Sequence, residues 1–159
     1  MILLHPAPRG PLSPDQPGTF AALMDLYECN YIHMRRLLPV MPAASTACIS
    51  RVSGGLDLHL RVIERCRYTS ELILTYQFRQ NNGATVAEPN LRIRVYHDAR
   101  QAEVMAAHLR HHPAFVIDGQ GVIGIPLFAR WRINRFLYKW LTYCLRQGHC
   151  FPARSGHPA

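Results

Sequence analysis

Acidic residues are scarce in this chain of 159: 10 Asp and Glu stand against 18 Lys and Arg, a formal net charge of +8. Lysine is scarcer still. Apart from Lys139 every basic residue is arginine, whose planar guanidinium donates paired hydrogen bonds to carboxylates and phosphates. No carboxylate follows Asp118, whereas Arg130, Arg132, Arg135, Lys139, Arg146 and Arg154 do, so the C-terminal third is the electropositive part. No C-x-x-C pair occurs, and the five cysteines (Cys29, Cys48, Cys66, Cys144 and Cys150) are odd in number. That argues against a disulfide framework and a structural zinc site, and fits a reducing cytoplasm. No apolar run approaches the roughly 18 residues of a spanning helix, and the apolar opening Met1 to Leu4 is too short for a signal peptide. A soluble cytoplasmic protein without membrane contact is expected.

What is present fits one domain. Hydrophobic residues make up 48% of the chain, enough for a real core. Residues 1–18 carry Pro6, Pro8, Pro11, Pro14 and Pro17 and read as a Pro-rich disordered tail. Residues 19–150 read as the domain, and 151–159 as a short C-terminal tail. Thr19 can cap a helix. Phe20, Leu23, Met24, Tyr27, Tyr31, Met34 and Leu38 then recur at helical steps, with Glu28, Asn30 and His33 off the stripe. Arg35 and Arg36 complement the helix dipole in the last turn, and Pro39 stops the helix.

Strands follow. Cys48 to Ser53 precedes the Gly54-Gly55 turn. Leu56, Leu58, Leu60 and Val62 alternate with polar residues, as do Leu72, Leu74, Tyr76 and Phe78, and then Leu91, Ile93 and Val95. Residues 65–70 read as a polar connection between two of these strands. Ala102 to Leu109 reads as a strand closing the meander. Residues 108–130 read as a loop holding His108, His111, His112 and Gly119-x-Gly121-x-x-Gly124, with a short strand near Ala114 to Ile117. Ile133, Phe136, Leu137, Trp140, Leu141, Cys144 and Leu145 form one face of a last helix, opposite Arg132, Arg135, Lys139 and Arg146, with Gly148 as its stop. The fold expected is α+β: an antiparallel sheet of four to five strands, with an N-terminal and a C-terminal helix packed on one face. Its other face would carry Arg61, Gln77, Arg79, Arg92, Arg94 and Tyr96.

Four stretches in order carry a resemblance. They are Glu28-x-Asn30-Tyr31 with Arg35-Arg36-Leu37-Leu38-Pro39; Glu64-x-x-Arg67-Tyr68-Thr69; Arg94-x-Tyr96-His97-Asp98-Ala99-x-x-Ala102-Glu103-Val104; and Asn134-x-Phe136-Leu137-x-x-Trp140-Leu141-x-Tyr143-Cys144-Leu145-x-x-Gly148. Over roughly residues 20–150 the chain resembles the YqiB-like family of small bacterial proteins, a domain family of unknown function. The resemblance implies a bacterial cytoplasmic protein and brings no activity, cofactor or catalytic residue with it. It is interrupted between Leu109 and Arg130.

Chemistry is sought first at Arg94 to Ala99, a strand end with a cation, a phenol, an imidazole and a carboxylate in close succession. His97 could act as a general base, since imidazole titrates near neutrality. Glu64 and Glu103 are its available carboxylate partners, and Arg67 or Arg94 could hold an anion. Against this, Asp98 suits a side-chain bond to its own turn, Tyr96 and Arg94 suit pairing on the sheet face with Glu64 or Glu103, and no Ser or Cys elbow marks a nucleophile. His108, His111 and His112 with His97 or Asp98 could offer metal ligands, but H-x-x-H-H beside Pro113 reads as an exposed loop, and the glycine spacing at 119–124 lacks its strand–helix unit, so neither a metal nor a cofactor is expected. The favoured reading is a non-catalytic binding or adaptor module that meets an acidic protein or other anionic partner. Its binding candidates are Tyr68, Arg92, Arg94, Tyr96, Asp98, Arg132, Arg135 and Lys139. Two alternatives stand beside it. One is nucleic acid or another anionic ligand held by the sheet face and the basic last helix, although no nucleic-acid-binding signature occurs. The other is a small acid–base enzyme using His97, Glu64, Arg67 and Glu103.

Overall fold

Backbone hydrogen bonding arranges this chain as a meander of strands between two helices. The computed structural model describes residues 18–109, 115–116 and 127–153. Helix α1 spans Phe20–Leu37. Strands β1 (Ala47–Ser50), β2 (Leu58–Arg65), β3 (Thr69–Arg79), β4 (Thr85–Tyr96), β5 (Gln101–His108) and β6 (Phe115–Val116) follow, and α2 spans Leu127–Arg146. Each strand pairs antiparallel with the next, in the order β1-β2-β3-β4-β5-β6. The α+β class expected from the pattern is therefore the fold. The sheet has five longer strands and, at its edge, the two-residue β6 near the site where a short strand was predicted. No helix among the described residues is long and apolar enough to cross a membrane.

Period-two alternation sorts the sheet into two faces. Leu58, Leu60, Val62, Leu72, Leu74, Leu91, Ile93, Val95, Ala102 and Val104 are buried and form the main core with Leu137, Trp140, Leu141 and Cys144 of α2. A second cluster joins Ala22, Leu23, Leu26 and Tyr27 of α1 to Trp131. That cluster explains why α2 begins earlier than expected. Residues 127–130 read as loop because of the Gly and Pro before them, yet they continue the helix that buries Trp131 against α1.

The cap at Thr19 is as anticipated, its hydroxyl accepting from the Ala22 N–H at 3.2 Å. The buried stripe is rotated, however. Phe20 is 65% exposed, and Asn30, expected in solvent, is fully buried. A buried amide must find partners. The Asn30 amide donates to the Asn134 carbonyl at 3.2 Å. Asn134 in turn accepts from the Val104 N–H at 3.0 Å and donates to the Arg130 carbonyl at 2.9 Å. Register shifts here, with Arg92 opposite Ala106 and Ile93 opposite Val104, so β5 carries an extra residue at Met105. Such a bulge interrupts the ladder, and the Asn134 side chain takes up the Val104 amide. Two asparagines thus lock α1, α2 and β5 together.

The end of α2 is equally determined. Gly148 sits at φ +92, its N–H donating to the Leu145 carbonyl, while the His149 N–H donates to the Cys144 carbonyl. This is the left-handed glycine stop foreseen for Gly148, and it turns His149 inward onto Ser50 of β1, Nδ1 to Oγ 2.9 Å. Phe151, assigned from the sequence to the tail, is 4% exposed and sits in the main core. Its N–H donates to the Leu37 carbonyl at 2.8 Å, satisfying one of the free carbonyls at the end of α1. The Pro-rich segment 1–17, His111, His112 and the glycines at 119, 121 and 124 lie outside the described residues.

Candidate functional site: a cationic cleft at one end of the sheet

The connection read as residues 65–70 is shorter in the fold. β2 runs to Arg65 and β3 starts at Thr69, because Ser70 and Glu71 belong to the strand. The Cys66 N–H donates to the Thr69 carbonyl at 2.7 Å and closes the turn. The His97 N–H donates to the Tyr68 carbonyl at 2.8 Å, so the turn after β4 is tied to the turn after β2. The last turn of α1 arrives beside both. Together they enclose an open cleft of about 640 Å³ lined by Arg35, Pro39, Val40, Met41, Arg65, Cys66, Arg67 and His97.

Three arginines therefore line one space with no carboxylate among its described lining residues. The ion pairs among the described residues involve other arginines: Arg51 with Asp57, and Arg92 and Arg94 with Glu71. His97 is half-buried, and its Nε2 lies 2.8 Å from the Ser70 hydroxyl. Burial, and then the charges of Arg35 and Arg65, hold the imidazole below its ordinary value, with Asp98 acting weakly the other way. Burial and the neighbouring Arg35 and Arg65 thus disfavour the protonated form of His97. The Cys66 thiol donates to Glu64 Oε1 at 3.3 Å, and that hydrogen bond and the Glu64 charge push its pKa up. A protonated thiol is a weak nucleophile. The Arg67 guanidinium also lies over the Tyr68 ring, 5.2 Å from its centre, and Tyr68 is 53% exposed beside the cleft.

The remaining predicted residues lie elsewhere. In register across β2 to β5 run Glu64, Glu71, Arg94 and Glu103. Arg94 Nη2 donates to Glu71 Oε2 at 3.2 Å, and Arg92 Nε donates to Glu71 Oε1. Glu71 is only 4% exposed. A buried carboxylate holding two arginines is a structural unit, and it occupies the two cations expected to face a partner. Glu71 was missed from the sequence. The signal was available, since one acidic residue in an apolar strand asks for basic residues on the next, and Arg92 and Arg94 supply them. Tyr96 donates to Glu103 Oε1 at 2.5 Å. The neighbouring Tyr27 phenol is pushed far up, by burial first and by the Glu103 charge second. Glu64, Thr69, Ser70, Glu71, Arg94 and Tyr96 line a separate small recess of about 100 Å³.

The polar residues singled out in the second and third family-like stretches therefore separate. Arg67 and His97 face the cleft with Arg35 and Arg65, while Glu64, Arg94 and Tyr96 line the recess and Glu103 serves Tyr96. Asp98 is exposed in the turn. His97 takes a serine rather than a glutamate as its hydrogen-bond partner. On α2, Arg132 and Arg135 lie over the Phe128 and Trp131 rings at 6.0 and 5.2 Å, and both line a shallow groove with Lys139. His108 is exposed at the end of β5 remote from the His97 turn.

The family described as "Protein of unknown function (DUF1249)" matches residues 33–150, most of the domain and every wall of the cleft. The chain belongs to this family. "Uncharacterized protein YqiB" of Escherichia coli strain K12 is 30% identical over 129 residues, covering 81% of this chain and 90% of the relative. The protein of that name from Escherichia coli O157:H7 matches to the same extent. A bacterial origin fits these relatives. No solved structure matches the chain. Within the DUF1249 span, three of the four stretches that carried the resemblance send a side chain into the cleft: Arg35 and Pro39 from the first, Arg67 from the second and His97 from the third.

Proposed function

We propose that the domain is a non-catalytic binding or adaptor module that receives an anionic group of its partner in the cleft between α1 and the β2–β3 turn. The observation that carries this reading is the set Arg35, Arg65 and Arg67, which share one cleft and have no ion-pair partner among the described residues. Clustered like charges repel, and an incoming anion relieves that repulsion while accepting charge-assisted hydrogen bonds. The other wall is apolar, formed by Pro39, Val40 and Met41, so the partner brings apolar surface beside its charge. The chemistry of the cleft favours binding over catalysis: its thiol is held protonated by Glu64, and its imidazole is paired with Ser70.

Charge reversal tests this. The full chain and its Arg35→Glu/Arg67→Glu variant are used as bait in a bacterial lysate, with Arg92→Glu/Arg94→Glu as a second comparison. Acidic partners retained by the parent are expected to be lost from the first variant. If they remain bound to it, the cleft reading fails; loss from the Arg92→Glu/Arg94→Glu bait counts towards the open sheet face only if its thermal melt matches the parent's, since both arginines pair with the buried Glu71.

A further inference from the structure

We infer that the group accepted by the cleft is a phosphate monoester, a dianion whose organic part lies along Pro39, Val40 and Met41; this rests on the reading of the cleft as an anion site. The first support is charge. Arg35, Arg65 and Arg67 come from two separate elements and leave the described lining with three positive charges and no negative one. A carboxylate offers one charge and two oxygens. A phosphate monoester near neutral pH carries close to two charges and three terminal oxygens, so several planar guanidiniums can donate to it together. A phosphodiester carries one charge per phosphate and is bound along a strip, whereas these cations line a single open cleft.

The second support is His97. Its Nε2 is engaged by Ser70 Oγ, while no hydrogen bond is formed by Nδ1 among the described residues. The groups around it are Arg35 from α1, Arg65 at the end of β2, Cys66 and Arg67 from the β2–β3 turn, Ser70 of β3 and Asp98 of its own turn. Arg35 and Arg65 disfavour its protonation. A dianion placed between them offsets those charges, so the imidazole takes up a proton as the ligand binds and becomes a fourth cationic donor. The third support is the apolar wall. Val40 is 53% exposed at the lip, next to Met41. Inorganic phosphate would leave it bare, and an ester with a hydrocarbon or aromatic body would cover it.

The test is calorimetric titration of the full chain with phenyl phosphate, inorganic phosphate, benzenesulfonate and an oligothymidylate. Phenyl phosphate is expected to bind most tightly and to drive proton uptake at pH 7.5, read from the dependence of the heat on buffer ionisation. Arg35→Gln and Arg67→Gln each weaken it roughly tenfold, the loss of about one charge-assisted contact. Arg79→Gln, the same charge change at the far end of β3, leaves it unchanged. In His97→Gln the proton uptake disappears. These surface arginines are exposed, so the variants fold, and thermal melts verify it. A phosphotyrosine peptide binding more tightly than phenyl phosphate assigns the ester to a protein partner, and equal binding assigns it to a small molecule. If benzenesulfonate binds as well as phenyl phosphate, the dianion inference is overturned and the anion site survives. Preference for the oligothymidylate replaces the monoester by a nucleic acid. If no probe binds, both readings fall.

Discussion

Replacing Glu71 by Gln probes the least replaceable charge in the sheet. The carboxylate side chain is 5% exposed and accepts from Arg92 and Arg94, whose side chains are 47% and 34% exposed. Two charge-assisted hydrogen bonds of about 1.5–3 kcal/mol each are at stake. The full sum is not lost, because glutamine keeps one carbonyl acceptor and both half-exposed guanidiniums regain water. Net destabilisation of about 2–3 kcal/mol follows. For a domain of this size that corresponds to a fall in Tm of roughly 5–10 °C. Urea denaturation followed by circular dichroism measures it, and a double-mutant cycle with Arg94→Gln isolates the pair, with an expected coupling of about 1 kcal/mol. Phenyl phosphate binding at the cleft should be unchanged in the folded fraction. A Glu71→Gln stability within about 0.5 kcal/mol of the parent, or a coupling near zero, would refute the view that Glu71 organises this face.

Asn134→Ala should cost about 2–3 kcal/mol, because the buried Val104 N–H loses its acceptor, and should raise hydrogen exchange at the Val104 amide selectively. His149 is 2% exposed, and burial lowers its pKa from 6.5 in the folded state. The unfolded chain therefore binds protons first, so this contribution to stability is complete above pH 6.5 and declines as the pH falls from there towards the depressed folded value. Comparing denaturation midpoints at pH 7.5 and 5.5, the loss should be smaller in His149→Gln than in the parent; equal losses would remove His149 from the account. Glu64→Gln should accelerate iodoacetamide labelling of Cys66 several-fold at pH 7.5, since the carboxylate that raises the thiol pKa is gone. Peptide mass mapping follows Cys66 separately from Cys29, Cys48 and Cys150.

The fold was legible wherever one physical rule governed a segment. Alternation located β2, β3 and the second half of β4, because each buries one face. Pro39 and Gly148 marked both helix ends through backbone geometry alone. The reading strayed where a long-range partner decided the outcome. Asn30 looks like a surface residue until Asn134 arrives from 104 positions away. β4 begins at Thr85 and runs through Pro89, which cannot donate to a ladder, because the partner strand shifts register between Thr75 and Gln77 and the Thr75 hydroxyl donates to the Pro89 carbonyl at 2.7 Å. Phe151 resembles tail until the Gly148 turn carries it back to Leu37.

The candidate site shows the same division on the scale of charge. A net charge of +8 says nothing about where free cations gather. Strand periodicity placed Arg92 and Arg94 on one open face and made that face the obvious meeting place for an acidic partner. Alternation alone does not reveal that a single buried glutamate on the preceding strand, in register with Arg94, already binds both; only its place as the one acidic residue in an apolar strand hints at it. Arg35 and Arg65, by contrast, looked like a helix-dipole cation and a loop residue, and neither pattern hints that the two approach the same imidazole. The backbone bond from His97 to Tyr68 brings the imidazole to the end of β2 and Arg65, and the last turn of α1 brings Arg35 beside them; no local rule anticipates either contact. The cations of this domain thus divide by partner. Those facing Glu71 hold the sheet together, and those around His97 have no ion-pair partner among the described residues.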